Sequence, residues 1–371
     1  MKYINNLIDE LKLDAILLTD SYNIRYISGY KGDTGVLFAT KDKGYILTDS
    51  RYTEQVTIEA PEFECVDIGM TGYSKTLKGL LSVRNDNGSG TPVSVNPDNN
   101  IPCYKVGFED EHISYKQYKT FCDAFSGVEL IPMGGKVNSL RQIKSDAELA
   151  CIEKAESIGD EAFSHILTFL KPGISEREIA LELEYTMKRL GASGLSFDTI
   201  AASGPHSSLP HAVPDDRRLC EGDFLTMDFG CVYNGYCSDM TRTIFIGSAP
   251  TKKQLEVYNT VLHAQTESMK LIKPGAKCSD VDACARSIIA DAGYGDYFGH
   301  GLGHSVGLYI HEEPRLSRKC DDILKPGMTM TVEPGIYLPG EFGVRIEDLV
   351  VVTETGYRNL TASDKELIMI K

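Results

Sequence analysis

Four acids and a histidine cluster are the residues in this chain whose types and spacing can do chemistry together. Asp228 closes the apolar run Phe224-Leu225-Thr226-Met227. In a strand, Phe224, Thr226 and Asp228 share one face. A buried lone carboxylate is costly, so an acid in that place needs a partner. Asp239 follows in Gly235-Tyr236-Cys237-Ser238-Asp239-Met240-Thr241-Arg242-Thr243, with Thr241 on its strand face. Asn234-Gly235 is a hairpin signal, and a hairpin there sets the two aspartates side by side. Such carboxylates repel unless they share a proton or a cation. Taken singly, each aspartate reads better as a turn or surface acid.

The histidines change that balance. Three of the eight, His300, His304 and His311, fall in the glycine-rich stretch Gly299 to Glu312. Glycine lets backbone approach closely, and imidazole ligates zinc, manganese, cobalt or iron but suits calcium poorly. Glu333, before Pro334-Gly335, and Glu347, in Gly343-Val344-Arg345-Ile346-Glu347, complete the acids, and Arg345 can balance local negative charge. Four carboxylates and one imidazole hold two divalent ions only if some carboxylates bridge. Metals about 3.5–4 Å apart can then activate a shared hydroxide and polarise a carbonyl.

The elements that must position these residues repeat. Leu170-Lys171-Pro172-Gly173 has a counterpart in Ile272-Lys273-Pro274-Gly275, and Gly222 to Asp228 aligns with Gly327 to Glu333, offsets of 102 and 105 residues. A helical pattern precedes each Lys-Pro-Gly and another follows, Glu176 to Leu190 and Ser279 to Ala292, each ending at a glycine. Offsets this long point to one domain built by duplication rather than a solenoid. Asp228 and Glu333 then hold matching strand positions in two halves that face a shared cleft. Ser145-Asp146-Ala147-Glu148 reads as a capping box opening a helix through Ile152, Ala155, Ile158 and Phe163. Residues 1 to about 135 read as alternating helix and strand. A first helix carries Ile4, Leu7, Ile8 and Leu11 on one face. The runs Ala15 to Leu18, Asn23 to Ser28, Gly35 to Ala39 and Tyr45 to Thr48 suit a sheet covered by helices. Ser82 to Asn100, rich in Asn, Gly, Ser, Asp and Pro, reads as a surface loop.

Composition bounds the classes. With 371 residues the chain has room for two domains, and 42% hydrophobic and 25% charged residues are ordinary for a globular protein. A net charge of −15 argues against a general nucleic-acid binder. No apolar run approaches the roughly 18 residues needed to span a membrane. The ten cysteines form no Cys-x-x-Cys pair, so they read as reduced thiols, mostly buried, in a cytoplasmic protein.

Asp228, Asp239, the His300-Gly301-x-Gly303-His304 motif, Glu333-Pro334-Gly335 and Arg345-Ile346-Glu347-Asp348, in this order, resemble the pita-bread metallopeptidases, in the branch of aminopeptidase P and prolidase. Asn23 to Tyr30 resembles more loosely the creatinase-type N-terminal domain of that branch. The resemblance implies an α/β (α+β) architecture: a creatinase-like N-terminal domain over residues 1–135, then a pseudo-twofold pita-bread catalytic domain over 136–371. It implies that Asp228 ligates one metal, His304 and Glu333 the other, and that Asp239 and Glu347 bridge both. His211 would stabilise the substrate or the tetrahedral intermediate, and His300 and His311 would contact the substrate near the scissile bond. Glu333 would be the general base, and Arg345 would support the charge network.

The activity implied is hydrolysis of Xaa–Pro bonds by a hydroxide shared between two divalent ions. Aminopeptidase P comes first and Xaa-Pro dipeptidase (prolidase) is the alternative. Carboxylate-rich ligation favours manganese over zinc, cobalt or iron. Proline-containing peptides are the expected substrates, and a homodimer is expected, with neither nucleic acid nor membrane as a partner. Methionine aminopeptidases share the five ligands but lack the large N-terminal domain and a counterpart of His300. Creatinase lacks the metal set. A non-catalytic binding protein on this fold would have lost ligands, and none is missing here.

Overall fold

The computed structural model describes residues 1–83, 104–125 and 128–371. Nearly all of the expected Ser82–Asn100 loop lies outside the described residues. Contacts divide the chain into two units, Met1–Leu140 and Arg141–Lys371.

The first unit holds six strands, β1 (Ala15–Leu18), β2 (Val36–Thr40), β3 (Gly44–Thr48), β4 (Glu64–Asp67), β5 (Tyr104–Phe108) and β6 (Val128–Pro132). They form one mixed sheet in the order β4-β3-β2-β1-β5-β6. Six helices accompany them: α1 (Lys2–Leu11), α2 (Ser21–Ser28), α3 (Thr53–Glu59), α4 (Gly72–Val83), α5 (Tyr115–Ala124) and α6 (Lys136–Leu140). Strand alternation splits the core between the two faces. Ile16 and Leu18 pack with Ile4, Leu7 and Ile8 of α1, whereas Ala15 and Leu17 pack with Leu77, Phe121 and Phe125. The run Asn23 to Ser28 lies in a helix and not in the sheet. Asp20 caps α2 by accepting from the Tyr22 amide, and Gly29 ends it at φ 85°. These end signals outweigh an apolar spacing that also suits a strand.

The second unit opens with α7 (Asp146–Phe169) and α8 (Glu176–Arg189). The capping box at Ser145 and Glu148 forms as expected. Strands β7 (Gly194–Leu195), β8 (Ile200–Ser203), β9 (Phe224–Phe229), β10 (Cys231–Tyr233), β11 (Tyr236–Cys237) and β12 (Met240–Ile246) follow. Asn234 (φ 47°) and Gly235 (φ 84°) make the tight turn between β10 and β11. Next come α9 (Lys252–Met269), α10 (Cys278–Asp291), and strands β13 (Gly303–Ser305), β14 (Glu312–Leu316), β15 (Thr329–Val332), β16 (Gly335–Leu338), β17 (Phe342–Arg345) and β18 (Asp348–Val352).

The repeat is visible in single hydrogen bonds. Gly173 N donates to Leu219 O and Gly275 N to Leu324 O, both at 2.9 Å, and isolated bridges join Ser175 to Arg218 and Lys277 to Ile323. Each half packs its own helix pair. Ile158, Phe163, Ile179 and Leu183 of α7 and α8 cover Leu225, Met227 and Phe229 of β9. Val257, Val261, Val281 and Ala285 of α9 and α10 cover Met330 and Val332 of β15. This is the pseudo-twofold pita-bread fold, following a creatinase-like mixed α/β unit.

The cysteines depart from expectation. Among the nine described, only Cys231, Cys237 and Cys278 are buried, and Cys122 and Cys220 are exposed. Cys122 lies on α5 and Cys220 in the loop before β9, where a small side chain is tolerated without packing. Among the described residues, no helix is long and apolar enough to cross a membrane.

Candidate metal centre

The face of β9 turned away from Met227 carries Thr226 and Asp228. On the neighbouring strand, Thr241 stands opposite Asp228, and Asp239 lies just before β12 begins. Gly230 lets this corner close, because a Cβ there would lie 2.0 Å from the Ser238 carbonyl oxygen. Glu347, between β17 and β18, bridges to Thr241, whose Oγ1 donates to Glu347 Oε2 at 2.7 Å. Asp228, Asp239 and Glu347 each present a carboxylate oxygen within 4.8 Å of the others. Two of these oxygens, Asp228 Oδ1 and Glu347 Oε1, are buried without a hydrogen-bond partner.

The second half adds the imidazole and the last acid. Glu333 follows β15, whose ladder ends where Pro334 has no amide to donate. His304 is buried on β13, with Nδ1 3.1 Å from the Ser305 carbonyl oxygen. A carbonyl only accepts, so Nδ1 carries the proton and Nε2 presents a lone pair. That lone pair faces Asp239 Oδ2 and Glu333 Oε1, each at 3.5 Å. Burial, with His311 next, pushes His304 down to about 3, so its ring is neutral. Burial, then Glu347 and Asp228, holds Asp239 well above the usual carboxylate range. Burial, then Glu333 and Asp228, does the same to Glu347. Glu333 is pushed up to about 8, chiefly by burial. A neutral imidazole lone pair among four acids, Asp239 and Glu347 buried and Asp228 and Glu333 half-buried, is an arrangement that protons or cations must fill, and its nitrogen and oxygen donors suit divalent transition ions.

Around this cluster runs a second circuit. Arg345 Nη2 donates to Asp228 Oδ2 at 2.6 Å, and its Nη1 donates to Tyr337 Oη at 2.9 Å. Tyr337 Oη is 2.9 Å from His300 Nε2, and His300 Nδ1 is 2.8 Å from the Gly301 carbonyl. Both His300 nitrogens are therefore engaged. His311 stacks edge-on against His304 at 4.6 Å between ring centroids. His211 is exposed beside Pro210, whose carbonyl accepts from Arg345 Nη1 at 3.3 Å. The structure brings all nine residues expected at the site, His211, Asp228, Asp239, His300, His304, His311, Glu333, Arg345 and Glu347, to one cleft of about 880 Å³.

Sequence reasoning missed several neighbours. Tyr337 falls on the period-two face of Glu333 and Gly335, a signal that was available. Arg315 stands directly opposite His304 across the β13–β14 ladder and lines the cleft. Glu156, buried on α7, accepts from the Asp239 amide at 3.2 Å and from Thr361 Oγ1 at 2.5 Å. Nothing local marks it. A second ligand-like group, Glu176, His206 and Asp215, is occupied internally, because Glu176 accepts from Ser203 N and Oγ and lies 2.7 Å from His206 Nδ1.

Residues 150–354 match the model of metallopeptidase family M24, and residues 1–143 match the Creatinase/Prolidase N-terminal domain. The chain belongs to metallopeptidase family M24. A relative described as an uncharacterized peptidase, YqhT of Bacillus subtilis (strain 168), is 42% identical over 100% of this chain and 99% of its own length. Among solved structures, an Xaa-Pro dipeptidase from Bacillus anthracis is 42% identical, with TM-score 0.89 over 100% of this chain and 99% of the other. An X-Pro aminopeptidase from Thermotoga maritima MSB8 is 34% identical, with TM-score 0.87 over 100% and 99%. The prolidase from Pyrococcus horikoshii OT3 is 36% identical, with TM-score 0.88 over 99% of each chain. Family M24 membership implies divalent metal ions, and this set of carboxylate and imidazole donors fits them.

Proposed function

We propose that this chain is a metal-dependent peptidase that hydrolyses the Xaa–Pro bond at the free amino end of short peptides. The observation that carries the reading is the His304 lone pair aimed at Asp239 and Glu333 beside the unpartnered oxygens of Asp228 and Glu347. Two divalent ions held by Asp228, Asp239, His304, Glu333 and Glu347, manganese by the preponderance of oxygen donors, would acidify a water and polarise the scissile carbonyl. Glu333 takes the proton of the attacking water and passes it to the departing proline nitrogen. His311 and His211, on the cleft wall, donate to the oxygen that gains charge as the carbonyl becomes tetrahedral. Burial lowers the basicity of His311, so near neutral pH it is a neutral donor. Arg345 and Tyr337 hold Asp228 and His300 in place. A proline nitrogen bears no hydrogen within the peptide bond, so an attack directed at the carbonyl suits it. The solved relatives named for Xaa-Pro cleavage support this bond as the target.

A second reading restricts the substrate to dipeptides. Arg315, opposite His304 and exposed in the cleft, offers a cation where the free carboxylate of an Xaa-Pro dipeptide would end. Purified protein loaded with manganese and assayed on Gly-Pro and Arg-Pro-Pro tests both readings. Hydrolysis abolished by EDTA and restored by manganese is expected. Absence of bound metal and of hydrolysis of either peptide with manganese or cobalt overturns the proposal. Under the dipeptide reading, Arg315→Gln raises KM for Gly-Pro by about tenfold or more and leaves Arg-Pro-Pro within twofold. Equal changes on both substrates remove that reading. Light scattering measures the expected homodimer.

A further inference from the structure

Behind His304, outside the cleft lining, lies a buried ionic knot. The Lys144 side chain is 1% exposed and that of Glu312 4%, with Nζ 3.2 Å from Glu312 Oε2. Lys144 Nζ also donates to Ser305 Oγ at 2.8 Å. Arg141 Nε lies 3.1 Å from the other Glu312 oxygen, which also accepts from the Tyr309 amide at 3.2 Å. The Glu312 carboxylate therefore sits inside the loop that joins β13 to β14. Gly307 makes room for it, because a Cβ there would lie 2.4 Å from Glu312 Oε2.

The two residues that Lys144 grips stand next to the two histidines at the cleft. Ser305 follows His304, and Ser305 also supplies the carbonyl that fixes the His304 tautomer. Glu312 follows His311. The ladder between β13 and β14 shifts register between His304 and Ser305, so pairing alone holds this hairpin loosely at that point. The segment bearing Lys144 is itself anchored, with Lys144 N donating to Gly327 O at 2.9 Å. Burying an ammonium and a carboxylate is costly, and a hydrophobic pair of similar size would pack as well. What the charges add is direction: one ammonium fixes Ser305 on one strand and Glu312 on the other.

We propose that Lys144 is a positioning residue that sets the His304 tautomer and the separation of His304 from His311, by clamping Ser305 to Glu312. It touches neither substrate nor metal. The proposal rests on His304 being a metal ligand, as argued above, and its action on the tautomer can be read without metal. Outer partners of ligating histidines typically govern metal affinity or activity by 10–100-fold.

The test compares the full chain with Lys144→Met and Ser305→Ala, the second removing only one hydroxyl. In metal-free protein labelled with ¹⁵N-histidine, and with His304 assigned through His304→Gln, wild type is expected to show the Nδ1–H tautomer. Both variants are expected to show a mixture. Calorimetric titration with manganese alone is expected to show affinity lower by about 10–100-fold in Lys144→Met. At saturating manganese, kcat on Gly-Pro falls while KM stays within twofold. An unchanged tautomer together with unchanged manganese affinity in both variants overturns the proposal. Should Lys144→Met not fold, Ser305→Ala decides by the same criteria. A tautomer that shifts in the variants of a protein that binds no manganese keeps the clamp and removes the metal-centre reading instead.

Discussion

The two halves of Arg141–Lys371 use one backbone plan and load it differently. In the first, β8 flanks β9 with Ile200, Ala201, Ala202 and Ser203, and the acids are two aspartates. In the second, β13 lies beside β15, with His304 N donating to Thr331 Oγ1 at 3.0 Å, and the acids are two glutamates. The first half therefore supplies short side chains, Asp228 on β9 and Asp239 just before its partner β12, where the two backbones already stand close. The second supplies longer ones from just past the ends of β15 and β17, together with the imidazole and the guanidinium. Duplication accounts for a carboxylate in each half, and divergence accounts for the rest of the set. Equivalent folds did not require equivalent chemistry.

Substitution can break this comparison. The largest effect is expected from Asp239→Asn and Glu347→Gln, one from each half. Each should lower kcat/KM by about 10³-fold or more, the several kcal/mol that metal ions contribute to such reactions. If Glu347→Gln kept activity within tenfold of wild type, the halves would not share the centre. Next comes Tyr337→Phe, which leaves the ring and removes the link between His300 and Arg345. A loss of about 10–100-fold in kcat is expected with bound metal retained, read by steady-state kinetics beside metal analysis.

A third experiment concerns α7 of the first half. Burial, above all, pushes Glu156 up to about 8. The folded state therefore holds a proton that the unfolded chain releases near pH 4.5, so stability falls as pH rises from about 4.5 to 8. In EDTA, the melting temperature should drop between pH 5 and 8, and Glu156→Gln should flatten that drop by at least about 2–4 °C. Identical slopes would remove Glu156 from the account. The smallest effect is expected at the matching turns. Gly173 (φ 89°) and Gly275 (φ 85°) have open space where a Cβ would go, so alanine costs only the left-handed backbone, about 1 kcal/mol at each. Denaturant titration should give two nearly equal values. A difference above about 1 kcal/mol would show that the two turns are not equivalent.

What could be read in advance depended on range. The Ser145 cap, the Asn234-Gly235 turn and the alternation of Phe224, Thr226 and Asp228 each rest on residues a few positions apart, and all formed. Asn23 to Ser28 was misread because Asp20 and Gly29, outside the run, decide its conformation. The acids gathered in the cleft were legible as candidates because an acid at the end of an apolar run has few inexpensive fates. Glu156 and Lys144 were not legible, since their partners Thr361, Ser305 and Glu312 lie more than 150 residues away.

The threonines on β12 do more than fill a polar face. Thr243 Oγ1 donates to Arg345 O at 2.8 Å and accepts from Arg345 N at 3.2 Å, and it lies 2.9 Å from Thr226 Oγ1. One hydroxyl thus stands in for a strand partner where the two halves abut. Mechanically the joint behaves as a dowel: it permits little slip along the strands, and slip is the motion that would most change the gap between Asp228 and Glu347. A centre assembled from two packed cores keeps its tolerances through such a pin, and its precision belongs to the joint rather than to either half.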